Sequence, residues 1–320
     1  MKRSLWVALA LAILAVPAQA RTVGFEAVTV PVQGDNPLKV GVWYPSDGAE
    51  APVPLGLDSQ SVALKAGIAG KGHGLILMSH GTGGWYGSHD DTARALARAG
   101  FVVAAVSHTG DTFDDRSRAT RMADRAPQLS RTLDYMTRVW RGHDAINLRR
   151  IGVFGFSSGG FTALVAVGGV PDLALIAPHC VEHPTYFDCN LVRQSGDAAP
   201  PNGPWRSDTR IRAAVIAAPA LGFTFAPRGL SKVKVPVQLW RAERDSVLPH
   251  PLYAEAVRGL LPVTPDYRVV DGADHYDFLA PCGPGLAKAS PQVCKPGFDR
   301  SAFHASFNTD VVAFFQRTLR

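Results

Sequence analysis

The sequence predicts a doubly wound α/β domain with a mostly parallel sheet, on three observations. Residues 75–78 are an uninterrupted apolar run of the kind buried on both faces of a parallel sheet, and 101–106, 151–156, 213–217 and 235–240 read as further buried strands. Segments of helical period lie between strands, at 90–99, 129–141 and 250–261. One apolar run breaks into Gly155-Phe156-Ser157-Ser158-Gly159 and continues as a helix-like segment over 161–167. That is the strand-turn-helix context in which a serine is left exposed at a sharp apex.

Residues 1–20 read as a signal peptide: Lys2 and Arg3, an apolar run over 5–16, then Pro17-Ala18-Gln19-Ala20 as an Ala-x-Ala cleavage site. The apolar run is short for a membrane span, no cysteine follows the cleavage site to carry a lipid, and no later apolar run reaches about 18 residues. The mature chain is expected to start at Arg21 and to place residues 21–320 in one catalytic domain, in the periplasm or outside the cell, with no stable membrane anchor. Removing Lys2 and Arg3 takes two from the formal charge of +6 and leaves +4. The arginines form no basic block and no interleaved aromatic platform, so a nucleic-acid partner is not expected. Cys180, Cys189, Cys282 and Cys294 fall into two close pairs, which suggests Cys180 with Cys189 and Cys282 with Cys294, although spacing leaves the other two connectivities open. A zinc site from Cys180, Cys189 and His179 or His183 is the competing use of these residues; the oxidising compartment and the lack of a Cys-x-x-Cys knuckle argue against it, and no metal is expected.

Taken in order, residues 23–32 and 38–44 are β-branched and aromatic around Gly34-Asp35-Asn36-Pro37, an antiparallel hairpin expected at the sheet edge. Residues 47–74, rich in Gly, Pro and Ala, read as loop. The strand at 75–78 ends in Ser79-His80-Gly81-Thr82-Gly83-Gly84, whose glycines let backbone N–H groups turn inward. A helix at 90–99 stops at Gly100, and the strand at 101–106 leads into a polar loop over 107–118. After the helix at 129–141 and the strand at 151–156, residues 168–210 loosen into Pro-rich sequence, an irregular insertion expected to sit above the turn as a lid or rim. Strands at 213–217, 235–240 and 267–270 follow, with the helix at 250–261 before the last. The stretch 301–319 carries Phe303, Phe307, Val311, Val312, Phe314 and Phe315 as the apolar residues of a final helix.

A serine hydroxyl becomes nucleophilic when an imidazole takes its proton and a carboxylate fixes that imidazole. Ser157, Asp245 and His275 each follow a predicted strand, in the order Ser, Asp, His, at the sheet edge where such loops collect. Glu243 competes for the acid role. Asp245 is preferred because Asp245-Ser246-Val247-Leu248-Pro249 turns at once toward the next helix, placing the shorter side chain at the turn. Asp271 and Asp274 are nearer His275 in sequence but, being so close in a turn, are expected to point apart from it or to bond their own backbone. The oxyanion donors should be the N–H groups of Ser158 and Thr82, with His80 bracing the glycine loop. Trp85, Tyr86, Phe156 and Phe223 are candidates for the acyl pocket, with core or rim packing the alternative for each.

These motifs, together with Arg241-Ala242-Glu243-Arg244-Asp245, Asp271-Gly272-Ala273-Asp274-His275 and the ending from Asp299 to Phe315, resemble the exported α/β-hydrolases often described as predicted dienelactone hydrolases. These are similar to platelet-activating factor acetylhydrolases and more distantly to bacterial cutinases. The resemblance runs from about Val23 to Leu319 and implies the α/β-hydrolase fold. Ser157 stands where true dienelactone hydrolases carry a cysteine nucleophile. The sequence therefore points to a serine-dependent carboxylic ester hydrolase for short- to medium-chain esters, with a small-molecule or lipid-like substrate and no cofactor. A phospholipid acyl hydrolase and a polyester depolymerase are the alternatives within enzymes. A catalytically silent binding protein on the same fold would have no need of Ser157, Asp245 and His275 together.

Overall fold

A computed structural model describes residues 22–196 and 200–320; the expected signal peptide at 1–20 and its cleavage site lie outside the described residues. The strands are β1 (Thr22–Val30), β2 (Leu38–Ser46), β3 (Ala51–Leu55), β4 (Asp58–Leu64), β5 (His73–Ser79), β6 (Val102–Ser107), β7 (Ile146–Phe156), β8 (Ala213–Ala217), β9 (Val237–Ala242) and β10 (Asp266–Val270). They form one ten-stranded sheet in the order β10-β9-β8-β7-β5-β6-β2-β1-β4-β3. The six strands from β5 to β10 pair in parallel, whereas β2 pairs antiparallel with both β1 and β6.

The helices are α1 (Asp90–Arg98), α2 (Arg125–Arg138), α3 (Ser158–Ala166), α4 (Ile176–Glu182), α5 (Phe187–Ser195), α6 (Ala254–Leu260), α7 (Pro284–Ala289) and α8 (Arg300–Thr318). Alternate residues of the central strands feed two cores, one on each face of the sheet. Leu75, Leu77, Val102 and Ala104 pack with Leu129, Leu133 and Met136 of α2 and with Phe161 and Leu164 of α3. Ile76, Met78, Val103 and Ala105 pack with Leu96 of α1 and with Phe307, Val311, Phe314 and Phe315 of α8. Burial on both faces is what turned these strands into unbroken apolar runs.

Three expectations change. The β1–β2 hairpin is internal to the sheet, because β4 pairs in parallel with β1 and β3 closes the edge beyond it. The loop expected at 47–74 contains that β3–β4 hairpin, turning at Gly56 with φ 61°. Pro52 and Pro54 lie two apart on the outermost strand, so their missing N–H groups share one side and cost the ladder nothing when that side is the free edge. The stretch at 168–210 is less irregular than expected: it supplies α4 and α5, bridged by Cys180–Cys189, and His179 stacks on Phe223 with ring centroids 3.8 Å apart. The other predicted helices and strands form within a few residues of their expected bounds, α2 beginning four residues early at Arg125.

Candidate active site

Strand β7 ends at Phe156 and α3 begins at Ser158, so Ser157 makes the whole turn, with φ 55° and ψ −120°. A non-glycine residue in this region costs about 1–3 kcal/mol and persists only where its surroundings enforce it. The enforcement is visible on both sides: the N–H of Ser157 donates to the carbonyl of Ala217 at 2.9 Å, and its carbonyl accepts from Ala220 at 3.0 Å. The flanking glycines are required by close approach. A Cβ on Gly155 would stand 2.1 Å from the carbonyl oxygen of Gly159, and one on Gly159 would stand 1.9 Å from that of Ser79.

The structure brings Ser157, His275 and Asp245 into one hydrogen-bonded line. Nε2 of His275 lies 3.1 Å from Oγ of Ser157, and its Nδ1 lies 2.8 Å from Oδ2 of Asp245. The other oxygen of Asp245 accepts from the N–H groups of Val247 and Leu248 at 3.1 and 2.7 Å, so the turn after β9 holds the carboxylate from behind. Glu243 points elsewhere and accepts from the N–H of Gly272 at 2.7 Å. All three aligned side chains are nearly withdrawn from solvent, which strengthens the electrostatic coupling between them.

The loop carrying His275 is stitched to the loop carrying Asp245. Asp274 accepts from the N–H and hydroxyl of Ser246, both at 2.8 Å, and from the N–H of His275 at 2.7 Å. Burial alone would raise the Asp274 carboxyl; these donors and Lys295 outweigh it and hold its pKa at about 2. Phe156 lies beneath the imidazole, its ring centroid 4.8 Å from that of His275, and packs on Phe278 and His89 from the other sides. It is buried, so its contact with the imidazole is one of packing.

Thr82 and Ser158 also come together, with their hydroxyl oxygens 2.6 Å apart. Ser158 is the first residue of α3, so its N–H precedes the helix's own acceptors and remains available near Ser157. His80 braces the glycine loop: it accepts from the N–H of His108 at 3.0 Å through Nε2, and its Nδ1 lies 2.6 Å from the carbonyl of Gly81. Burial, aided by the Arg125 cation, pushes the His80 pKa well below its usual value, so the ring is neutral and Nδ1 is the donor to Gly81.

Two charged residues of the site had no signature in the sequence. Asp111, from the loop after β6, accepts from the N–H of Gly83 at 2.8 Å and pairs with Arg125 at the start of α2. They lie fourteen residues apart and carry no motif. Trp85 packs against Tyr86 at 4.7 Å and, edge to face, against Phe113 at 6.1 Å; Phe113 is 66% exposed. Phe223 stacks on His179.

Both cysteine pairs are joined as expected, Cys180–Cys189 and Cys282–Cys294. Among the described residues, His179, Asp188 and Cys189 are the group whose potential ligand atoms fall within 4.8 Å of one another, but Cys189 is committed to its disulfide. No helix of the described residues is long and apolar enough to cross a membrane.

No family model and no curated protein matches the sequence. Among solved structures, a ferulic acid esterase from Streptomyces cinnamoneus is similar, at 22% identity and a TM-score of 0.66, over 96% of this chain and 92% of that one. Together with the mostly parallel sheet, its flanking helices and the strained serine turn after β7, this likeness identifies the architecture as the α/β-hydrolase fold.

Proposed function

We propose that the protein is a carboxylic ester hydrolase working through an acyl-enzyme on Ser157. The observation that carries this is the unbroken line from the strained Ser157 hydroxyl through His275 to Asp245, at 3.1 and 2.8 Å. His275 Nε2 takes the hydroxyl proton as Oγ attacks the ester carbonyl, and Asp245 fixes the tautomer that leaves Nε2 free. The oxyanion of the tetrahedral intermediate is met by the N–H groups of Thr82 and Ser158. Collapse expels the alcohol, protonated by His275; water, deprotonated by the same imidazole, then releases the acid. The reading calls for no metal or organic cofactor.

The substrates proposed are short- to medium-chain esters, in keeping with the resemblance to exported hydrolases related to platelet-activating factor acetylhydrolases. A second reading, hydrolysis of esters of aromatic acids, is favoured by the Trp85–Phe113 pair beside the glycine loop and by the ferulic acid esterase likeness. The two disulfides support a working place in the periplasm or outside the cell.

An organophosphonate should inactivate the protein by modifying Ser157, and Ser157→Ala should abolish both labelling and ester hydrolysis. Labelling at Ser158 or Ser79 instead would overturn the assignment. Nitrophenyl esters from acetyl to octanoyl, set beside methyl ferulate, separate the two substrate readings: preference for the ferulate selects the aromatic one.

A further inference from the structure

Arg125 and Asp111 make an ion pair with side chains only 3% and 2% exposed, beneath the glycine loop and unable to touch a substrate. All three nitrogens of the guanidinium are engaged. One terminal nitrogen donates to Asp111 Oδ2, the other to the carbonyl of His80, and Nε donates to the Thr162 hydroxyl at 3.0 Å. Thr162 in turn donates to the carbonyl of Ser158 at 2.8 Å, and the second oxygen of Asp111 accepts from Gly83 N–H at 2.8 Å. Thr82 is therefore gripped on both sides, through the carbonyl of His80 before it and the N–H of Gly83 after it. Ser158 is gripped through its own carbonyl. Both grips meet at one planar cation.

Taking two charges out of water is costly, and well-packed apolar residues would often serve stability as well or better. What apolar residues cannot supply is the fixed fork of five donors, which locks several acceptors at set angles. An oxyanion hole needs such locking, because its donors must already stand about 2.7–3.1 Å from where the negative oxygen will form.

We propose that Arg125, held by Asp111, is a positioning residue that sets the Thr82 and Ser158 N–H groups at oxyanion-hole geometry. This rests on reading those groups as the oxyanion donors. The pair acts from behind the site and leaves substrate binding to other residues.

The test uses Arg125→Gln, Arg125→Lys and Asp111→Asn in the full mature chain, with competent sites counted by organophosphonate titration. For Arg125→Gln, kcat per titrated site is expected to fall about 100-fold with KM within about threefold, the effect of losing one oxyanion donor. Affinity for a trifluoromethyl ketone, which adds Ser157 to form a tetrahedral adduct, should fall by the same factor as kcat/KM. Asp111→Asn keeps an acceptor for Gly83 N–H and should lose about tenfold. Arg125→Lys, which has the charge without the fork, should fall between wild type and Arg125→Gln. A merely structural role would reduce the number of titratable sites and the melting temperature but leave kcat per site and ketone affinity unchanged, and that outcome overturns the proposal. If Arg125→Gln yields no folded protein by circular dichroism, Arg125→Lys and Asp111→Asn decide it on the same readings. A wild-type chain that hydrolyses no ester and is not modified at Ser157 overturns the reading of the site and this proposal together; an active wild type with indifferent variants overturns this proposal alone.

Discussion

The hydroxyl oxygens of Thr82 and Ser158 stand 2.6 Å apart, joining the loop after β5 to the first residue of α3 across 76 residues of sequence. Thr82→Val removes this link while keeping the backbone N–H. A hydrogen bond of this kind contributes about 1 kcal/mol net, so a loss of roughly fivefold in kcat is expected, with KM little changed. Thr82→Ser, which keeps the hydroxyl, should restore most of the rate. Steady-state kinetics on one nitrophenyl ester would check the pair of variants.

Asp245 and Glu243 lie two residues apart, yet only Asp245 meets His275. Asp245→Asn should lower kcat by about 10,000-fold through selection of the wrong imidazole tautomer. Glu243→Gln, which keeps an oxygen for the N–H of Gly272, should stay near wild type. The reverse ranking in turnover would move the acid role to Glu243.

Asp274 gives a stability effect with a defined pH window. Its folded pKa of about 2 is below the ordinary 3.8, so the fold favours the carboxylate. The stabilisation is complete above the unfolded value and disappears as pH falls from about 4 through about 2. Asp274→Asn should therefore melt below wild type at neutral pH, and the gap should narrow over that acid interval. A gap that stayed constant down to pH of about 2 in thermal melts would show that charge at Asp274 is not its source.

The Cys282–Cys294 bridge closes the segment that follows His275. That segment is also held by Asp58, which accepts from the N–H groups of Gly285 and Leu286 at 2.8 and 3.0 Å, and by Arg300, which donates to the carbonyl of Val293 at 2.6 Å. Replacing both cysteines by serine should cost roughly 3 kcal/mol by the chain-entropy argument. Turnover should decline at temperatures where circular dichroism still reports a folded domain. Equal thermal profiles for activity and for unfolding would mean that the bridge steadies the whole molecule rather than the base loop.

The sheet, the elbow and the Ser157, Asp245 and His275 positions were legible because each is written locally: apolar runs for doubly buried strands, glycines where backbones nearly touch, chemistry-bearing residues just past strand ends. The β3–β4 hairpin was not. Its Pro52 and Pro54 are breakers by local rules and become acceptable only because β3 is the outermost strand, a fact of topology. Arg125 and Asp111 were hidden for a related reason. A charged residue at the start of a helix and another in a polar loop look like solvent-facing residues until the fold buries them against each other.

Ser157 and His275 are separated by 118 residues, and the strand leading to His275, β10, is an edge of the sheet. The contacts that hold the elbow in its strained form come from Ala217 and Ala220, which precede His275 in the chain by more than fifty residues. Long-range pairings of this kind are slow to form. On the proposed reading, reactivity at Ser157 waits on the docking of the far end of the sheet, and its appearance during refolding is expected to report the last stage of assembly.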